Sequence, residues 1–213
     1  MKNKILTMET RRLLGLFLIL DLLAVFLFLL YTQDILESRF FRLARDRGFA
    51  EIVQYLKFGV IIHLLIVWNR ARDSRLLSAW ILLFVIMLLD DSLGIHEGVG
   101  QVLMDHFRLP ASLSISADIR TKDLFEAISF LALEGSACLY VAYEFIRAPR
   151  DLKRYSLALG LAMVPLVLCG LLLDLSHAHY LEQFGEMASM GLLLGCVHYH
   201  FMKYVRPRLS SSV

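Results

Sequence analysis

The chain has 213 residues, 58% of them hydrophobic, and the apolar residues run in long blocks, a composition that excludes a soluble globular fold and requires lipid as the solvent. Its 22 basic and 20 acidic residues nearly cancel to a net charge of +2, so no nucleic-acid partner is expected and membrane lipid is the partner in view. Cys138, Cys169 and Cys196 are odd in number and fall inside apolar runs, which excludes a disulfide framework.

A bilayer core of about 30 Å takes roughly 20 apolar residues per helix. Six segments meet that requirement, near 12–32, 51–69, 76–98, 122–146, 155–175 and 181–202. The expectation is therefore an all-α integral membrane bundle of six transmembrane helices, with residues 1–213 as one domain free of internal repeats.

The first segment, "LLGLFLILDLLAVFLFLLYTQ", follows a basic start but lacks a small-x-small cleavage site, so it reads as a retained span. Asp21 inside it is either a neutral structural partner or a functional group. In the connection that follows, Leu36, Phe40, Phe41 and Leu43 are spaced as in an amphipathic helix lying on the membrane surface. Lys and Arg collect before the first span, in "NRARDSR", in "RAPRDLKR" and in the tail "KYVRPR". Alternation puts all four groups on one side, so both termini are expected in the cytoplasm of a bacterial cell, in its inner (plasma) membrane.

The third span then rises about 1.5 Å per residue from Arg75 and brings Asp90 and Asp91 into the outer half, with His96 and Glu97 at the boundary. The fifth span ends in "LLLDLSHAHY", delivering Asp174, His177 and His179 to the same level. The sixth opens with Glu182 and Glu186, and the fourth carries Glu126 at similar depth and Glu134 deeper. On a continuous third helix Asp90 and Glu97 share a face, as do Glu182 and Glu186 on theirs, while Asp91 and His96 point elsewhere.

An ionised side chain at mid-bilayer costs about 2.5–3.5 kcal/mol, so these groups should face one another inside the bundle, where protons or a bound cation must relieve their repulsion. Mixed imidazole and carboxylate ligands suit Zn, Fe or Mn. The candidate metal set is Asp90, His96, Glu97, Asp174, His177, Glu182 and Glu186, with Glu126 or Glu97 as catalytic base. "HEGVG" is not the H-E-x-x-H zinc motif, and snorkelling to water or helix capping would explain several of these residues equally well.

Toward the cytoplasm, His63 and His198 lie at comparable depth, as two axial ligands of a b-type haem would, with His200 nearby. "GLLLG" at 191–195 permits close helix approach within the bundle. Pro165 should kink the fifth span, and Trp68 and Tyr204 read as interfacial anchors.

"LLDDSLGIHEG" paired with "LEQFGEMASMGLLLG" resembles a pattern in small uncharacterised bacterial multispan membrane proteins. Asp90, Asp91, Ile95, His96 and Glu97 carry the likeness in one span and Glu182, Gly185 and Glu186 in the other, with Asp91 where that pattern has Glu. The resemblance implies which residues matter and brings no function with it.

Two classes of function, and a third, remain open on the sequence. The first is a metal-dependent membrane hydrolase or oxidoreductase acting on a lipid or other hydrophobic substrate. The second is an ion- or proton-coupled carrier using the same carboxylates, and the third a non-catalytic assembly or scaffold subunit with a membrane-protein partner. Oligomeric state is open as well.

Overall fold

The apolar runs fold as helices. The computed structural model describes residues 2–43, 47–107, 121–169 and 179–205, with the side chains of 2–7, 122, 123 and 179 excepted. Among these there are seven α-helices and no strand: α1 (Lys2–Thr32), α2 (Phe49–Arg72), α3 (Arg75–Leu93), α4 (Ile95–His106), α5 (Thr121–Arg147), α6 (Arg150–Leu168) and α7 (His179–Tyr204).

Helix α7 packs on α1, α2 and α6, while α3 packs on α2 and α5 and α4 lies along α5. The core between them is large and almost entirely apolar: Leu65, Leu77, Phe84, Leu159, Met190 and Leu193 are completely buried in one cluster. Outward faces are apolar too. Leu18, Ile19 and Leu22 of α1 and Leu139 and Ile146 of α5 are exposed, an arrangement that is stable only where the surrounding solvent is lipid.

Four helices are long and apolar enough to cross a membrane: Met8–Thr32, Phe49–Arg72, Arg75–Leu93 and Leu124–Arg147. Over their described residues α6 and α7 fall short of the same measure. Arg150, Asp151, Lys153 and Arg154 load the first turns of α6 with charge, and α7 carries Glu182, Gln183, Glu186, His198 and His200.

Three expectations change. The third segment is not one helix to residue 98: it stops at Leu93, Gly94 adopts φ 63°, and α4 starts at Ile95. Glycine takes this left-handed conformation without a Cβ clash, so the chain turns there. Within residues 36–43 a three-residue 3-10 helix, Arg39–Phe41, stands in place of a surface helix. Leu43 is buried beside Ala24, Ala50 and Met187, so it plugs the bundle and does not float on it. In "GLLLG" only Gly195 makes a close approach, since a Cβ there would meet Leu14 Cδ1 of α1 at 3.2 Å while one at Gly191 would meet nothing.

Candidate functional site

Gly94 sets the geometry of the site. Its N–H closes α3 by donating to Asp90 O at 2.7 Å, and the turn swings α4 back so that residue 96 returns to residue 90. Asp90, at 1% exposure, then makes two bonds to one residue: Oδ1 accepts from the His96 backbone N–H at 2.8 Å, and Oδ2 lies 2.9 Å from His96 Nδ1. The expected pairing of Asp90 with Glu97 on one helical face does not form, because that spacing required an unbroken helix. Asp90 and His96, read as diverging, are in direct contact.

A carboxylate can only accept, so the ring nitrogen facing it carries the proton, and in the neutral ring Nε2 is then the acceptor. The ring is held from its other side by Phe130 of α5, edge-on with centroids 6.1 Å apart. His96 also lines a cavity of 710 Å³, together with Ser38, Phe40 and Arg47 from the α1–α2 connection and Glu51 of α2. Asp91, Leu93, Gly94, Glu97 and Gly98 complete the wall. That volume is within the range of sites for small organic ligands, about 300–1,000 Å³.

Arg47 and Glu51 are tied to this wall. The Arg47 backbone N–H donates to Glu51 Oε2, its Nε donates to Ser92 O at 3.3 Å, and the Tyr55 hydroxyl donates to Glu51 Oε2 at 2.8 Å. Beyond the cavity, Glu186 is hydrogen-bonded by Gln54 and lies within electrostatic range of Glu182, Asp91 and Glu51. Glu134, one turn below Phe130 on α5, is within range of Asp90 and Asp91. Carboxylates of α5 and α7 thus lie within electrostatic range of Asp91 on α3, and that of α7 also of Glu51 on α2.

They do not close on one point. Among the described residues, no three His, Cys, Asp or Glu side chains are placed to hold a metal ion. Asp90 belongs to α3, His96 and Glu97 to α4, and Glu182 and Glu186 to α7. Asp174 and His177 lie outside the described residues. Glu126 sits where α4 crosses α5, with Gly100 so close that a Cβ would meet the Glu126 backbone N at 3.0 Å, and it is not part of the cavity wall. His63 is exposed on α2, and His198 Nδ1 pairs with Thr10 Oγ1 of α1 at 3.0 Å.

Sequence reasoning passed over Lys57. Its ammonium is fully buried between α1, α2 and α7, 2.7 Å from both oxygens of Asp21 and 3.0 Å from Met187 O. Asp21 is thus an ion-pair partner. The signal was present in "VQYLKFGVIIH": a lone Lys in the middle of an apolar run needs a counter-charge, and Asp21 was the one acid available in the first span.

No curated protein and no solved structure matches the chain. A family model described as a domain of unknown function, DUF8692, matches residues 13–200, from the second turn of the apolar part of α1 to near the end of α7. The chain belongs to the DUF8692 family.

Proposed function

We propose that the chain is a six-span protein of the bacterial plasma membrane, with both termini cytoplasmic, and that it is an acid–base enzyme whose site opens at the outer end. The topology is supported by the charge distribution. Arg72 pairs with Asp151 at 3.0 Å and Thr10 with His198, which brings the basic starts and ends of α1, α2, α6 and α7 to one end of the bundle, and basic ends face the cytoplasm.

The enzymatic reading is carried by the two bonds from buried Asp90 to His96 in the wall of the cavity. Capping the N-terminus of α4 needs only the backbone bond. The ring bond adds a fixed tautomer and orientation, which is what a general base requires. His96 Nε2 takes a proton from a water or a substrate hydroxyl, Asp90 stabilises the imidazolium, and Arg47 in the same wall offsets negative charge as it develops. The substrate is a membrane lipid or another hydrophobic molecule whose polar group enters the cavity, with Phe40 and Leu93 on the lipid side.

The test is to place the purified protein in vesicles of total lipid extract and follow the lipids by mass spectrometry. The expected result is a lipid species consumed by wild type and spared by His96→Gln, with a rate loss of about 10² to 10⁴. Turnover that survives His96→Gln would reject the assignment.

One observation favours a cation-coupled carrier as the second reading. The Lys57–Asp21 pair lies one turn inward of Gln54 and beside Met187, directly below Glu186, so a polar ladder runs from the carboxylate layer into the bundle. Ion uptake into proteoliposomes that is lost in Lys57→Met and intact in His96→Gln would select it.

A further inference from the structure

At the basic end of the bundle, α2, α6 and α7 meet along a seam of rings. Trp68 and Tyr155 are in contact with centroids 4.3 Å apart, Tyr155 and His200 are 5.1 Å apart edge-on, and Tyr204 stacks on both Trp68 and His200 at 6.5 and 5.8 Å. Trp68 and Tyr155 are each 2% exposed. One turn farther out, Arg72 Nη2 pairs with Asp151 Oδ2 at 3.0 Å, so the α2 pair 68 and 72 faces the α6 pair 155 and 151.

This apolar-looking seam holds four buried polar atoms without a hydrogen-bond partner among the described residues: Trp68 Nε1, Arg72 Nε, Tyr155 Oη and His200 Nδ1. Buried polar groups in folded proteins are nearly always satisfied, and each left alone costs about 1–3 kcal/mol. Four on one seam call for a common partner. Trp68 and Arg72 can only donate, Tyr155 donates readily, and His200 Nδ1 donates when protonated. The complementary group is rich in acceptors. Lys203 lies over the Tyr204 ring at 5.0 Å, adding positive charge at the rim, while the nearby carboxylate of Asp151 is engaged by Arg72.

We infer that this seam is a binding site for a phosphate group, supplied by the headgroup of an anionic lipid. The level fits, because Trp and Tyr rings at a span end sit among headgroups, and basic crevices between transmembrane helices at the cytoplasmic face take such lipids. Tyr204, 41% exposed, is the most accessible ring of the seam and marks the side from which a phosphate would enter. The inference is independent of the Asp90–His96 cavity, which lies at the other end of the bundle.

The experiment is thermal unfolding of the full chain in detergent, titrated separately with phosphatidylglycerol, phosphatidylcholine and inorganic phosphate. Phosphatidylglycerol is expected to raise Tm by about 4 °C or more at saturation and phosphatidylcholine to leave it unchanged. Tyr155→Phe removes one donor and keeps the ring, so it should fold and lose at least half of the shift; Trp68→Phe removes the indole N–H but leaves a smaller ring, so its Tm without lipid falls and its shift is read against its own baseline, again with at least half lost. If inorganic phosphate alone reproduces a shift that these variants lose, the site is assigned to free phosphate in place of the lipid. Equal response to both lipids with no response to phosphate, or a full shift retained in both variants, would overturn the proposal and leave bridging water as the partner of the four atoms.

Discussion

Asp90 holds His96 at two points, through the backbone N–H at 2.8 Å and the ring at 2.9 Å, across a glycine that ends one helix and begins the next. Replacing the carboxylate by amide or by methyl removes the ring bond alone or both bonds. Asp90→Asn can still accept from the backbone N–H but no longer favours the Nδ1–H tautomer, so turnover is expected to fall with little change in Tm. Asp90→Ala should lose turnover and also about 1 kcal/mol or more of stability, because the cap goes with the ring bond. Denaturation of the two variants side by side separates these effects.

Gly94 is the hinge of that contact. At φ 63° any L-residue pays a backbone cost of roughly 1–2 kcal/mol, although a Cβ itself would meet only Glu97 Oε2 at 3.5 Å, an ordinary contact. Gly94→Ala is expected to lower Tm by a few degrees and to reduce His96-dependent turnover in parallel, since α4 must re-dock. A variant with wild-type Tm and activity would show that the turn does not position His96.

Two glycines two residues apart in α4 should respond in opposite directions. A Cβ at Gly100 would meet Glu126 Cγ at 2.9 Å and the α5 backbone at 3.0 and 3.2 Å, whereas at Gly98 it would meet nothing within 4 Å. Gly100→Ala is therefore expected to destabilise by about 1–3 kcal/mol. Gly98→Ala should be neutral or stabilising by up to about 1 kcal/mol, the helix-propensity difference. Thermal unfolding of both variants in the same detergent is the measurement.

The Lys57–Asp21 pair offers a test of buried charge. Lys57 is 0% exposed and Asp21 16%, so removing the acid strands the less accessible partner. Asp21→Asn should be more damaging than Lys57→Met, with losses of order 3–5 kcal/mol for a stranded buried charge, and the combination Asp21→Leu with Lys57→Met should recover most of the stability. Absence of recovery in the double variant, measured by unfolding, would show that the pair is held for more than charge compensation.

How much of this was legible in the sequence depended on whether the signal was local. The apolar runs around Leu18, Leu83 and Leu139 identified helices because a lipid-facing helix has no other composition available. That Asp91 and Glu186 lie at similar height was legible from depth alone, since helix rise converts residue number into height, whereas Glu134, placed deeper, was not read as their neighbour. Direction was not visible, because it required knowing where the third helix stopped. Gly94, placed four residues after Asp90 and flanked by Leu93 and Ile95, carried that stop signal, and reading through it inverted the assignments of His96 and Glu97. Glu51 and Arg47 were missed because they stand at the edge of a connection whose fold depends on where Leu43 inserts. Lys57 was missed because one cation barely alters the hydropathy of its run.

Nitrogen-15 NMR of the His96 imidazole, with wild type and Asp90→Asn compared in the same micelles, tests the central claim most directly. The account requires that neutral His96 carry its proton on Nδ1 in wild type, with Nε2 unprotonated and facing the cavity, and that this preference be lost in Asp90→Asn. A protonated Nε2 in neutral wild-type His96, or identical spectra for the two proteins, would contradict it.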